Sequence, residues 1–309
     1  MEKFKSYTTE AKEEKYKLLI LSHDDPFDPN ETGPMVRKKA SELGIEVYLA
    51  EFSGMYMEDK GKDQLVYSFP VDDDGKVELP GMKDDAEYDK PFTINPENTL
   101  VMARGIGSTV KTGNLSWRVA CLNLENQGYT LINSVICHDI CNDKWYNQII
   151  FQQNDIRTPN TVLVRHSEGA EDAAKRLGNK FPMILKTAVG SRGVGVIWVE
   201  SLKSLHSTIQ LLHREDEFVD VLLQEYIKTD YDVRVIIASG KILGAIKRPV
   251  IGDDFRSNVS QGSEPESHEL TEREAQESLR AAASVEGQVV GVDFIPAKNR
   301  DKESPYFIE

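Results

Sequence analysis

Apolar residues fall in short runs separated by clusters of Gly, Pro, Asp and Asn, a spacing that predicts brief strands alternating with amphipathic helices. Leu18-Leu19-Ile20-Leu21, ending at Ser22, has the length and continuity of a strand buried on both faces. Residues 1–16 are polar and read as frayed. A loop from Asp24 to Pro34 precedes a predicted helix over 35–43, which stops at Gly44, a residue suited to closing a helix. Ile45 to Ala50 is the next strand, so strand, helix and strand form a βαβ unit and predict a parallel sheet. Val66–Phe69 and Val77–Leu79 flank Asp72-Asp73-Asp74-Gly75 and predict a hairpin, and the acidic stretch Met82 to Lys90 reads as exposed. Leu100–Ala103 is a buried strand, residues 114–126 a helix with Leu115, Val119 and Leu122 on one face, and Tyr129–Ile132 a further strand.

A second unit is expected to begin near Asn142. Residues 143–153 read as a helix and Thr161–Val164 as a strand, followed by a helix capped by Ser167 and closed by Gly178. Strands follow at Met183–Lys186, from Gly195 to Glu200 and at Val221–Gln224, with a helix over 201–212. Val233–Ala238 and Lys241–Ile246 flank Ser239-Gly240 and predict a hairpin. Thr271-x-x-Glu274 is a capping box opening a helix to about 285, after which Val289–Ile295 and Pro305–Glu309 pair antiparallel. The expected class is α/β, becoming α+β in the second half, with domains over 1–141 and 142–309.

Composition narrows the partners. The chain has 309 residues with 37 Lys and Arg against 51 Asp and Glu, a net charge of −14. Phosphate backbones and anionic lipid repel such a surface, so neither nucleic acid nor membrane is an expected partner. No apolar run approaches the ~20 residues needed to cross a bilayer. The N-terminal residues show no apolar signal-peptide core, and three cysteines are too few for a disulfide scaffold, so a cytoplasmic location is expected.

Several residues stand out against this background. Gly190-Ser191-Arg192-Gly193-Val194-Gly195 lies between two strands; its bare N–H groups suit a phosphate chain, with a flexible hairpin as the plain alternative. Lys186 ends the preceding apolar strand and Lys144 opens a helix; each could neutralise phosphate or simply decorate a surface. Asp293 sits inside Val290–Ile295, where an unpaired carboxylate costs several kcal/mol. Glu309 closes the partner strand, and two such carboxylates suit Mg²⁺, unless alternation turns one to solvent. Asp232-x-Arg234, Lys247-Arg248 and Phe255-Arg256-Ser257-Asn258 form a cationic set fit for an anion pocket. Cys137-His138-x-x-Cys141 reads as a helix with buried thiols, a metal site being the weaker alternative. Neither His-Glu-x-x-His nor Gly-x-Ser-x-Gly occurs.

Taken in order, these pieces resemble the ATP-grasp superfamily, and more closely the RimK family of α-L-glutamate ligases. The resemblance runs through Asn142-Asp143-Lys144, Ile156-Arg157-Thr158-Pro159, Leu185-Lys186 with the Gly190–Gly195 loop, and Gln224-Glu225-Tyr226-Ile227. It continues through Asp232-Val233-Arg234, Lys247-Arg248, Asp254-Phe255-Arg256-Ser257-Asn258, Gly291-Val292-Asp293 and Phe307-Ile308-Glu309. More weakly it reaches Ala103-Arg104-Gly105-Ile106-Gly107 and Leu131-Ile132-Asn133 in the first domain. The resemblance implies an ATP-grasp fold with a mobile lid over about 160–224. It implies that Lys144 and Lys186 hold phosphates under the loop of Gly190, Ser191, Arg192, Gly193 and Gly195. Gln224, Glu225, Tyr226 and Ile227 would border adenine, Asp232 the ribose, and Arg234, Arg248, Arg256 and Asn258 the acyl phosphate and substrate. Asp293 and Glu309 would bind Mg²⁺, with Mn²⁺ as substitute.

The implied activity is ATP-dependent ligation of a small-molecule or peptide carboxylate to an amino acid amine through an acyl phosphate, in a homo-oligomer. A nucleotide-binding module without catalysis, and a glutathione-synthetase-like or D-Ala-D-Ala-like ligase, are the alternatives. The family carries an Asn two positions after the metal-binding Glu and then a closing helix. This sequence ends at Glu309, so a truncated chain or a lost ligand is expected.

Overall fold

Leu19, Ile20 and Leu21 are sealed from solvent because both faces of strand β1 (Lys17–Ser22) are covered, Leu19 and Leu21 lying in one cluster with Phe52 and Leu124 and Ile20 in another with Ala40. Strands β2 (Glu46–Glu51) and β6 (Thr99–Ala103) pair with β1 in parallel, and β7 (Thr130–Ile132) adds to β6, giving the order β2-β1-β6-β7. The computed structural model describes residues 16–22, 32–52, 55–61, 63–69, 90–104, 115–189, 195–215, 219–250 and 265–309. By its contacts the chain divides into Met1–Val135 and Ile136–Glu309.

In the first unit, helix α1 (Thr32–Glu42) starts earlier than the sequence suggests. Pro34 sits inside its first turn, where the missing N–H would have had no intrahelical acceptor anyway. Gly44 and Gly128 follow α1 and α2 (Leu115–Asn126) with φ of +74° and +92°, the left-handed closure that glycine permits. A second, antiparallel sheet has the order β3-β4-β5, from β3 (Met55–Lys60), β4 (Asp63–Ser68) and β5 (Phe92–Ile94). Strand β4 pairs with β3 along its whole length and with β5 at Gln64–Val66. Residues 70–89, which include most of the hairpin expected across Asp72–Gly75, lie outside the described residues, as do Gly105–Gly107.

The second unit opens with α3 (Val135–Asn142) and α4 (Lys144–Gln153). An antiparallel sheet follows, of order β10-β9-β11-β8, from β8 (Thr161–Val164), β9 (Met183–Thr187), β10 (Val196–Val199) and β11 (Val221–Glu225). Helices α5 (Ala170–Arg176) and α6 (Leu202–Glu215) cover one face, burying Ala173, Leu205 and Ile209 against Leu185 and Leu223. Ser167 does not cap α5: it lies within a short 3-10 turn, Ser167–Gly169, whose N-cap is His166 and whose peptide groups make the entry themselves.

The last sheet has five strands in the order β14-β13-β12-β15-β16. These are β12 (Tyr231–Ala238), β13 (Lys241–Pro249), β14 (Glu266–Ser267), β15 (Val289–Ile295) and β16 (Tyr306–Phe307). Ser239 and Gly240 turn β12 into β13 with φ of 48° and 71°, as a tight hairpin requires. Helix α7 (Glu272–Ser284) has the predicted capping box of Thr271 and Glu274. Alternation along β12 sends Val233, Val235 and Ile237 into the core with Ala281, Phe294 and Phe307, and leaves Asp232 and Arg234 on the opposite face. Among the described residues no helix is long and apolar enough to cross a membrane.

Candidate active site

Register on the five-stranded sheet sets Arg234 opposite Asp293 and Asp232 opposite Arg248. Arg234 donates through Nε to Asp293 Oδ1 at 2.7 Å and through Nη2 to Oδ2 at 2.6 Å. Arg248 forms the same fork with Asp232, at 2.6 and 2.7 Å, and adds a bond from Nη2 to Asp293 Oδ2 at 2.9 Å. Asp232, Arg248 and Asp293 are buried. Burial works against the Arg248 charge, but the Asp232 and Asp293 carboxylates outweigh it and hold its pKa above the usual range. Arg234 is likewise raised, chiefly by its hydrogen bonds to Asp293. Such forks resolve the cost of a carboxylate inside an apolar strand: each buried charge has a geometrically matched partner.

Glu309 enters beside this network. Asp293 N donates to the Glu309 main-chain oxygen at 2.8 Å and Ile308 N to that of Asp293 at 2.9 Å. The Glu309 carboxylate lies 4.0 Å from Arg234 Nη2 and remains 45% exposed.

Two lysines come to the same place from other elements. Lys186 lies on β9, paired with Val196 and Leu222. Loss of water around its ammonium pulls its pKa down to about 8; Glu309 opposes the shift and Lys144 adds to it. Among the described residues no carboxylate reaches ion-pair distance of Lys186. Lys144 is the first residue of α4, whose N-cap Asp143 accepts from Trp145 N at 2.8 Å and Tyr146 N at 3.0 Å. The start of α4 is tied to the end of β9, with Lys144 N donating to Ala188 O at 2.9 Å. The Lys144 pKa is lowered by burial, with Glu309 and Asp143 acting against the shift. Glu309 therefore acts electrostatically on both lysines and on Arg234. Its charge also reaches Cys141 at the end of α3.

Gly195 rejoins β10 with φ of +80°, and a Cβ there would stand 2.6 Å from Thr187 Oγ1, so both conformation and space select glycine. Gly190, Ser191, Arg192 and Gly193, like Arg256 and Asn258, lie outside the described residues. At the end of β11, Glu225 is clamped to Asn160: its N donates to Asn160 O at 2.9 Å and its Oε1 accepts from Asn160 N at 2.7 Å. Gln224 donates to Thr161 Oγ1 at 2.8 Å. The Tyr226 ring meets the edge of Trp198, centroids 4.7 Å apart. Among the described residues no main-chain hydrogen bond engages Tyr226 or Ile227. Asn160, Thr161 and Trp198 were not singled out from the sequence, because each acts only through the sheet order that sets β8 and β10 against β11.

The thiols also differ from expectation. Cys137 is buried in the core with Ile140, but Cys141 is exposed. Among the described residues no cluster of three His, Cys, Asp or Glu groups is arranged to hold a metal ion.

An antiparallel sheet under α5 and α6, joined through a short hinge to a larger sheet bearing paired acids and arginines, is the ATP-grasp fold. A RimK-domain ATP-grasp protein from Sphaerobacter thermophilus DSM 20745 superposes with a TM-score of 0.63 at 14% identity, over 94% of this chain and 89% of that one. The ATP-grasp ligase PsnB, complexed with minimal precursor, Mg and ADP, gives 0.60 at 15% identity, over 94% and 88%. Residues 141–309 match the family model described as the RimK-like ATP-grasp domain, and the chain belongs to that family. A probable alpha-L-glutamate ligase of Histophilus somni (strain 2336) is 32% identical over 193 residues, 60% of this chain and 62% of that relative. The match thus spans about three-fifths of that relative's length.

Proposed function

We propose that this chain is an ATP-dependent carboxylate–amine ligase working through an acyl phosphate. The observation that carries the reading is the meeting of Lys144, Lys186 and Glu309 beside the Asp293–Arg234–Arg248 network. Two ammoniums that repel each other, one with its pKa drawn down to about 8, are stabilised by a polyanion arriving between them. A nucleoside triphosphate has that charge. The unengaged main chain of Tyr226 and Ile227, next to the Trp198 edge, supports adenine at the hinge.

The residues present fit a divalent ion. Glu309 keeps much of its carboxylate in solvent, and Asp293 spends three of its roughly four acceptor positions on arginine. With phosphate oxygens and water completing the shell, Mg²⁺ or Mn²⁺ would be held by Asp293 and Glu309. When bound, it would neutralise charge building on the transferred phosphoryl group. Lys186 and Lys144 hold the nucleotide phosphates. Arg234, fixed by Asp293, meets the acyl phosphate as carboxylate oxygen attacks phosphorus and ADP leaves. Asp232 keeps Arg248 oriented toward the same anion. The amine then attacks the acyl carbon and releases phosphate. Fixed cations supply charge stabilisation without reorganising, and closure over the site keeps water from the acyl phosphate. Arg256 and Asn258 belong to the substrate side of this scheme. Glutamate is the amine we assign, and a peptide, protein C-terminus or small metabolite the carboxylate, by analogy with the Histophilus somni relative's name.

The test is a screen for ADP release with Mg-ATP, glutamate and a panel of acidic peptides. ADP and phosphate formed together with a new amide support the scheme. AMP and pyrophosphate would replace it with an adenylating mechanism. ATP-induced thermal stabilisation without turnover on any pair would leave a nucleotide-binding module.

A further inference from the structure

Cys137 and Cys141 are one helical turn apart on α3, with their sulfurs 4.0 Å apart. One is buried and the other open to solvent. In a regular helix, Cβ atoms four residues apart are ~5–6 Å from each other. A disulfide needs them at ~3.5–4.5 Å. The two sulfurs already face each other, but joining them requires the last turn of α3 to change shape. That turn leads directly into the nucleotide side of the site. Asn142 Nδ2 donates to His138 O at 2.7 Å, the next residue, Asp143, caps α4, and Lys144 follows.

We propose that Cys137 and Cys141 are an oxidative modification site, closing to a strained intrahelical disulfide that displaces Lys144 and weakens triphosphate binding. The oxidant is of the peroxide class. The exposed Cys141 sulfur attacks the O–O bond, giving a sulfenic acid and water. The Cys137 sulfur then attacks that sulfur, forming S–S and releasing a second water. Two thiols lose two hydrogens and two electrons, and one peroxide becomes two waters. A bridge strained in this way is readily reduced by small thiols, so the change is reversible. The bond itself is independent of the ligase reading; its effect on nucleotide binding rests on it.

The intact chain is treated with hydrogen peroxide, digested and analysed by mass spectrometry, alongside binding of a fluorescent ATP analogue. A Cys137–Cys141 peptide two hydrogens lighter is expected, with Cys121 still alkylatable. Affinity for the analogue should fall by about fivefold or more and return with dithiothreitol. Cys141→Ser alters an exposed position and should make affinity indifferent to peroxide. Cys137→Ala should let Cys141 oxidise without forming the bridge. Oxidation of Cys141 to sulfinic or sulfonic acid in the unsubstituted chain, with no bridge, would overturn the modification site. A bridge that forms while affinity stays constant would overturn the coupling to Lys144. If the analogue binds neither form, both the coupling and the nucleotide reading fall, whatever the mass spectrum shows.

Discussion

The two cationic halves of the site follow opposite rules. On the five-stranded sheet, Arg234 and Arg248 are locked to Asp293 and Asp232 by short bidentate bonds, and the pKa of each arginine is raised. Across from them, Lys144 and Lys186 have lowered pKa values and repel each other. The arginines are thus a finished structure whose orientation no ligand need supply. The lysines carry a desolvation penalty that a bound anion would relieve. A protein placing both kinds side by side fixes where charge must be held and leaves open where charge must come and go.

The sharpest way to break this comparison is to remove a lysine. Lys186→Ala should cut ADP release by about a thousandfold, the scale seen when one electrostatic contact to a transition state is lost. Its melting temperature should hold or rise, because an ammonium dehydrated in the fold disappears. A large loss of stability would place Lys186 with the structural half. The arginine half should behave in reverse. Asp232→Asn leaves Arg248 buried with a weakened partner and should destabilise Ile136–Glu309 by about 3–5 kcal/mol in chemical denaturation. Asp232→Leu combined with Arg248→Met should recover most of that loss, since exchanging a buried ion pair for apolar groups is often neutral.

A smaller effect follows from proton linkage. Burial draws the Lys186 pKa down to about 8, and a triphosphate bound beside it would raise that value. Binding is therefore strongest below about pH 8, where Lys186 is already charged. Above that point complex formation must take up a proton, and affinity falls by up to about tenfold per pH unit. Calorimetry in two buffers of different ionisation heat reads the uptake directly; none at pH 9 would show that Lys186 does not face the phosphates. The smallest effect is expected at Gly195. Gly195→Ala forces a side chain into the left-handed region and onto Thr187, at a cost of about 1–2 kcal/mol in stability.

Features with a local cause were legible in the sequence. The capping box at Thr271, the Ser239-Gly240 turn and the alternation along β12 each depend on residues within one turn or strand. Asp293 was recognisable as needing a partner, because an apolar strand around a carboxylate poses that problem by itself. Which cations answer was not legible, since it depends on how β15 registers against the β12–β13 hairpin across a long stretch of chain. The same holds for Trp198 against Tyr226. Strand β3 was missed because Met55–Lys60 mixes Glu, Asp and Lys with apolar residues and shows no clean alternation.

The clamp between Asn160 and Glu225 has a mechanical consequence. The chain enters the β8–β11 sheet at Asn160 and leaves it after Glu225, and two hydrogen bonds fasten those points together. A second tie, Lys144 N to Ala188 O, lies at the opposite end of β9, so the sheet is fastened to its surroundings at both ends of that strand. Rotation about Glu225 would load that second tie first, so the strain of any such turn would fall on the peptide group of Lys144.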